Sequence, residues 1–329
     1  MKMHMKKKSE IIIAASCSLL IVVLLIINFA VGTFYRYYSM ISVTEEDDYS
    51  DLLVSYSDEE PAAPSDIEIE LPEGSVFYNK DVMNILLIGT DERNEHFYRA
   101  ARSDTMMLMS LNKNTFDVKL VSFERDMYVA IPKIPSRNPD KLNHTFQFGG
   151  AKLLMETLRT HFNLDVQKYV RVNFFVFEKL VDEIGGVDIV LTKTEANIIT
   201  NDTGRLYSHP YKEGRNHLDG AAALCYCRIR KIDSDWERVK RQQNVIVAVK
   251  KSFSKKSVGD LKRIVDTCLP YVQTNLSASE CAYLLLNIAD YAKADVSRMT
   301  IPDRKTFIDL EHVDFKTNTK ILREFLYNK

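Results

Sequence analysis

The sequence predicts an α/β protein: a single extracytoplasmic domain with a mixed central sheet flanked by helices, behind one N-terminal transmembrane helix. Three observations lead there. An uncharged apolar run, Ile11 to Val31, follows a lysine-rich start. From residue 81 onward, short apolar runs of strand length alternate irregularly with longer segments of helical period, the pattern of layers packed on a mixed sheet. Hydrophobic residues make up 46 % of the 329, ample for a sizeable core, while a formal charge of -1 excludes the strongly basic class that coats nucleic acid.

The elements follow in chain order. Residues 1–10 carry Lys2, Lys6, Lys7 and Lys8 and form a basic tail. Positive charge stays on the cytoplasmic side, so the tail is inside and the rest of the chain outside. Residues 11–31 are long enough to cross a hydrocarbon layer of about 30 Å. A cleaved signal peptide is the alternative, but its apolar stretch is ordinarily about 7–15 residues. Phe34, Tyr35, Tyr37 and Tyr38 fit an aromatic belt at the outer interface. In the segment 32–80, Tyr37 to Asn79 contains no lysine or arginine and includes TEEDDYSD and SYSDEEPAAPSD, which reads as an acidic linker or stalk. The folded domain is expected over 81–329.

Within that domain VMNILLIG, TMMLMSL and FDVKLVSF are strand-like, the last two joined by a turn at NKNT. GGAKLLMETLRTHF has helical period after a glycine pair, YVRVNF is strand-like, and FFVFEKLVDEIGG is a helix closed by glycine. VDIVLT is another strand. Asp219 opens a helix in LDGAAAL, after which CYCRIR reads as extended. SDWERVKRQQNVIVAVKKSF is a helix with Ser234 and Glu237 spaced as a capping box. SASECAYLLLNIADY is a further helix with a similar start. No internal repeat is present. The C-x-C spacing of Cys225 and Cys227 is neither a zinc nor a redox signature; both read as small buried side chains, and a disulfide between Cys268 and Cys281 stays open.

If the first three strands are antiparallel neighbours, the end of the first, the start of the second and the end of the third share one sheet edge. That edge gathers Asp91 and Arg93, Arg102 and Asp104, and Arg125 and Asp126. The run CYCRIRKIDSDWERVKRQ adds Arg228 and Arg230, expected on one face of a strand. Arg238, Arg241 and Gln242 follow on one side of a helix near its positive end. Guanidinium forks match phosphate oxygens, and Mg²⁺ takes one or two carboxylates together with phosphate oxygens and water. The residues alone therefore point either to a di- or polyphosphate with Mg²⁺ or to a surface network of ion pairs. No Walker loop, GxSxG elbow, HExxH or zinc motif competes.

The order ILLIGTDER, RSDTMML, SFERDMYVAIP, KLNHTFQFGG, VDEIGGVDI, LDGAAALCYCRIR and DWERVKRQ, spread over residues 82–255, resembles the LytR–CpsA–Psr family. The resemblance implies a membrane-anchored extracytoplasmic phosphotransferase. Such an enzyme moves a glycopolymer, a teichoic acid, capsule or similar chain, from a polyprenyl-pyrophosphate carrier to peptidoglycan and holds the lipid tail in a hydrophobic pocket. It implies Mg²⁺ as cofactor, held by Asp91 and Asp104. It implies pyrophosphate binding by Arg93, Arg102, Arg125, Arg228, Arg230, Arg238 and Gln242, with Arg241 adjacent, and catalysis by Asp91, Asp104, Arg125, Arg228 and Arg230. Asp104, with Asp235 behind it, is the candidate for taking the acceptor proton. The expected partners are the lipid-linked glycopolymer, the peptidoglycan acceptor and the membrane, with no nucleic acid. A non-catalytic binder of polyprenyl-pyrophosphate lipids is the alternative function.

The chain departs from the family pattern at Glu124, where proline is common, at Glu237, where glycine is, and at Cys225 and Cys227, usually small or aliphatic. Among the remaining residues, His144 is expected in a structural hydrogen bond. Met106, Met107 and Met109 belong to the core or to a lipid pocket, and Trp236 staples a helix start or stacks on a sugar.

Overall fold

The computed structural model describes residues 30–43, 67, 69–93, 95–98, 101–134, 138–204, 210–230, 232–253 and 255–328. The expected basic tail and most of the apolar run 11–31 lie outside these residues. Among the described residues no helix is long and apolar enough to cross a membrane.

The centre is a seven-stranded mixed sheet. Its strands are β1 (Ser42–Val43), β2 (Val82–Thr90), β3 (Ser103–Asn112), β4 (Val118–Phe123), β7 (Lys168–Asn173), β10 (Gln273–Thr274) and β11 (Val296–Ile301), in the order β1-β10-β7-β2-β3-β4-β11. The expected antiparallel trio is present: Leu86 pairs with Leu108, and Leu108 with Val121. The turn between β3 and β4 is held by Asn112, whose side chain accepts from the amides of Asn114 (2.9 Å) and Thr115 (3.0 Å). Two short ladders stand apart, β5 (Tyr128–Val129) with β6 (Asp140–Lys141) and β8 (Val187–Leu191) with β9 (Gly214–Leu218).

Alternation along the strands sends side chains to two different cores. Leu86, Ile88, Met106, Leu108 and Val121 face α1 (Leu142–Phe162) and α9 (Phe315–Tyr327). Ile85 and Leu111 face the other way, toward α7 (Ala278–Leu286) and α8 (Ile288–Lys293). On that second side lie also α2 (Phe174–Glu183), α4 (Gly220–Arg228) and α5 (Asp235–Phe253), joined by α3 (Lys193–Asp202) and α6 (Val258–Cys268) in a separate core. Gly220 lets α4 approach α2: a Cβ there would lie 2.3 Å from the Glu178 carbonyl oxygen.

Four expectations need correction. CYCRIR is not a strand. Asp219 caps α4 by accepting from the Ala222 amide, and the helix runs through Arg228. The helix expected to begin at the glycine pair begins earlier, at Leu142, and breaks locally at Gly149 and Gly150, the latter at φ 62°. The helix SASECAYLLLNIADY divides at Asn287 into α7 and α8. The segment 32–80 is not one free stalk: β1 extends the sheet edge, and near its other end Ile67 is buried and Phe77 pairs with Leu164. The described cysteines, including Cys268 and Cys281, are free thiols.

Candidate functional site

The three antiparallel strands deliver their charged ends to one edge, as the sequence predicts. Thr90 of β2 pairs with Ser103 of β3, so Asp91 and Arg102 leave the sheet side by side. Asp104 sits one residue inside β3, and Arg125 follows β4 by one turn residue. Arg125 Nη1 donates to one Asp104 oxygen, and Arg230 Nη2 lies 3.5 Å from the other. Arg125 is placed from behind by the KLNH stretch, for the Asn143 amide donates to its carbonyl at 3.0 Å. Asp126 continues the row, between Arg125 and Lys141. Burial works against its ionisation, but those two cations outweigh it and hold its carboxyl below the usual range.

Beneath this edge, between the sheet and helices α2, α4 and α5, lies a cavity of about 250 Å³. Its walls are apolar, among them Leu87, Met107, Val170, Phe177, Leu224 and Ile246; its mouth is charged, with Asp104, Arg228, Arg230, Arg238 and Gln242. Gly89 also lines it, and a Cβ there would stand 3.0 Å from the Thr105 side chain. Met107 thus serves both expected roles, buried in the sheet and lining the cavity. Phe174 opens α2 after Asn173, whose side chain caps the helix by accepting from the Val176 amide. The Phe174 ring carries the Arg228 guanidinium at 4.9 Å. Such a cation–π contact orients Arg228 while leaving its N–H groups free to bind.

The arginines differ sharply in setting. Arg228 and Arg230 are exposed at the mouth, whereas the Arg238 side chain is 2 % exposed. One Arg238 amino group pairs with Asp235; its Nε is buried without a hydrogen-bond partner among the described residues. Burial lowers the Arg238 pKa, Asp235 raises it, and the nearby Arg125 and Arg230 lower it further. Arg125 Nε is likewise buried and lacks a hydrogen bond of proper geometry. A buried donor without an acceptor costs about 1–3 kcal/mol. An anion at the mouth would remove that cost and the mutual repulsion of the guanidinium groups together.

Not every expected residue converges. Arg93 is exposed. It and Arg228 act on Glu178, although burial, Asp182 and Asp219 prevail and push that carboxyl up. Arg102 is exposed and donates to Gln147. Arg241 does not line the cavity. It is buried and spent on Glu195 (2.7 Å), Asp233 and the Ile229 carbonyl (3.2 Å), so it fastens Ile229 and Asp233 to α3 and α5. Asp91 is exposed and does not line the cavity either. Among the described residues no three His, Cys, Asp or Glu form a metal-holding group.

Glu124 is 1 % exposed behind the row. Burial first, then the neighbouring Asp235, push its carboxyl up to about 9. Held neutral, it subtracts nothing from the positive mouth. Cys225 and Cys227 have thiols raised to about 12, chiefly by burial. His144 makes the expected structural bond, to Asp140 at 2.8 Å. Trp236 packs edge-on against Phe307 and under Arg304.

Sequence reasoning missed Phe174 and Arg171. The first was marked only as part of the apolar run FFVF. Arg171, fully buried in β7, pairs with Glu92 and lies against the rings of Phe97 (4.6 Å) and Phe146 (4.9 Å). It braces the loop that carries Asp91 and Arg93. A lone arginine inside the alternating strand YVRVNF was the available signal.

An apolar cavity under a mixed sheet, opening through a ring of arginines, defines an α/β protein built to hold an amphiphile with an anionic head. Residues 44–328 match the LytR_cpsA_psr family. The chain belongs to the LytR–CpsA–Psr family. It is 36 % identical over 246 residues to the polyisoprenyl-teichoic acid–peptidoglycan teichoic acid transferase TagU of Oceanobacillus iheyensis, covering 72 % of each chain. The TagT of Bacillus subtilis is 33 % identical over 226 residues, 67 % of this chain and 68 % of that one. A solved structure of TagT bound to LI-WTA superposes with a TM-score of 0.59 at 25 % identity, covering 79 % of this chain and 99 % of that one.

Proposed function

We propose that this protein is an extracytoplasmic transferase, anchored by residues 11–31, that moves a teichoic acid or similar glycopolymer from a polyprenyl-pyrophosphate carrier to peptidoglycan. The observation that carries the reading is the pairing of an apolar cavity with arginines at its mouth, among them Arg238, whose buried Nε has no hydrogen-bond partner among the described residues. A long isoprenoid fills the first and a pyrophosphate the second. The transferase names of the relatives support the same reaction.

In this reading a sugar hydroxyl of the acceptor attacks the sugar-linked phosphorus in line, and polyprenyl phosphate leaves. Catalysis of such transfers is mostly positioning and charge stabilisation. Arg228 and Arg230 grip the equatorial oxygens, while Arg125 and Arg238 neutralise the leaving phosphate from deeper in the site. Asp104 lines the mouth, and in this reading it receives the acceptor proton late in the step, with Asp235 as the second candidate. Asp91 and Asp104 are all-oxygen donors at one edge, too few for a protein-only cage but suited to Mg²⁺, whose shell phosphate oxygens and water complete. Bound there, Mg²⁺ supplies positive charge to the pyrophosphate.

The test is incubation of the full chain with Mg²⁺, a lipid-pyrophosphate saccharide and peptidoglycan oligomers, followed by mass spectrometry. A phosphodiester-linked product is the expected result. Saturable lipid binding without any product would replace this reading by the non-catalytic binder.

A further inference from the structure

Three apolar side chains stand in solvent at the junction of α7 and α8: Leu285 is 59 % exposed, Leu286 82 % and Ile288 47 %. Their neighbours Tyr283, Leu284 and Tyr291 already satisfy the inward face, packing around Ile85 and Leu111. A surface helix in water needs one apolar stripe. Here the last turn of α7 and the start of α8 leave three more apolar side chains outside that stripe, and an exposed apolar patch marks an interaction surface.

The position of the patch indicates its occupant. Glu280 of α7 pairs with Lys168 at 2.9 Å, at the start of β7, and Tyr291 of α8 donates to the Asn112 carbonyl at 3.3 Å, at the end of β3. Both contacts lie at the sheet end opposite the arginine edge. The segment that emerges from the apolar run 11–31 reaches this same end through Tyr38, while its strand β1 lies level with Leu87 and Ile88. The helical residues 30–38 lead into β1, which pairs with β10 just ahead of α7. Tyr38 donates to the Leu276 carbonyl at 3.2 Å, next to the Ser277 cap of α7. Leu87 and Val170, which line the cavity, also pack against the core beneath α7 and α8, so the deep part of the cavity faces this end as well.

We propose that the α7–α8 junction, through Leu285, Leu286 and Ile288, docks into the outer surface of the lipid bilayer. The domain then sits with its arginine edge away from the membrane and the deep end of its cavity toward it. The proposal rests on residues 11–31 being an anchor.

The full chain is placed in phosphatidylglycerol–phosphatidylethanolamine vesicles with a photoactivatable diazirine side chain at position 286. A second protein carries it at position 308, where Ile308 is 76 % exposed beside Asp126 at the arginine edge. Illumination is expected to give a several-fold excess of phospholipid adducts at 286. Equal yields, or an adduct to a second protein copy at 286, would overturn the proposal. A second measurement uses the double variant Leu285→Ser with Leu286→Ser. Transfer from a long-chain donor embedded in vesicles is expected to fall several-fold, while transfer from a short-chain, water-soluble donor keeps the parental rate. No loss with the embedded donor, or equal loss with both, counts against docking. If the parent transfers with neither donor, the transferase reading has failed, and the adduct yields alone decide the docking.

Discussion

Arg228, Arg230 and Arg238 show how one residue type divides labour by burial. The buried one is held by Asp235; the exposed two are positioned by an aromatic ring and by Asp104. Replacing either exposed arginine by lysine keeps the charge and removes the planar fork. For Arg228→Lys or Arg230→Lys, the rate at saturating donor is expected to fall by on the order of 10²-fold in at least one variant. Single-turnover transfer with lipid already bound checks this, since it separates chemistry from binding; parental rates in both would dismiss the clamp. Glu124 gives a stability test. Its carboxyl ionises around 4.5 when unperturbed and near 9 in the folded protein. The unfolded chain loses the proton first, so rising pH between those values favours unfolding. Glu124→Gln is expected to match the parent in Tm below that window and to exceed it by a widening margin as pH climbs through it. A gap that does not change with pH would show that Glu124 is not held neutral. The motif residues of this edge were legible because antiparallel pairing is encoded by short, well-marked strands. Arg241 was not distinguishable from its neighbours by type or spacing. Only the positions of Glu195 and Asp233, distant in the chain or across a loop, commit it to a structural clasp.

At the level of the element, α4 is the instructive case. The alternation Cys225, Tyr226, Cys227, Arg228 has the period of a strand, yet Ala222, Ala223, Tyr226 and Cys227 are all buried at helical spacing. The helix prevails because Asp219 caps it, alanines favour it, and α2, α3 and α5 surround it. A tertiary preference of that kind leaves no trace in a six-residue window. Arg230 consequently emerges after the helix cap, from a loop, which lets it reach Asp104. The packing of α4 on α2 depends on Gly220. Gly220→Ala puts a methyl group into the Glu178 carbonyl and is expected to destabilise the fold by about 1–3 kcal/mol, the scale of overpacking. A denaturant midpoint equal to the parent's would show that α4 can back away without loss. Because Glu178 and Arg228 lie on these two helices, the same variant should also disturb the cavity mouth.

For the whole molecule, the strand-rich centre was readable but the order of its edges was not. β11 comes from the last part of the chain and lies parallel to β4, and β1 comes from the segment before the domain and lies at the opposite edge. Pairings between such remote segments depend on closure of long loops, which local sequence does not encode. Both outer strands protect edges that would otherwise present unpaired backbone groups. The placement of β1 carries a consequence for reach. Since Ser42 and Val43 are in the sheet and Ile67 is buried in the same domain, the acidic stretch between them begins and ends on one body. Both of its described flanks therefore sit on the domain. If residues 11–31 anchor the chain as proposed, the height of the arginine edge above the membrane depends on residues 30–43 and not on the length of the acidic stretch. Doubling the length of a flexible loop costs only about 0.6 kcal/mol. Inserting a flexible Gly/Ser segment between Asp51 and Asp58 is expected to leave both Tm and transfer to a surface-immobilised acceptor close to parental. The same insertion between Met40 and Ser42 should lower transfer by letting the domain drift from its working height. Equal loss at the two positions would restore the stalk.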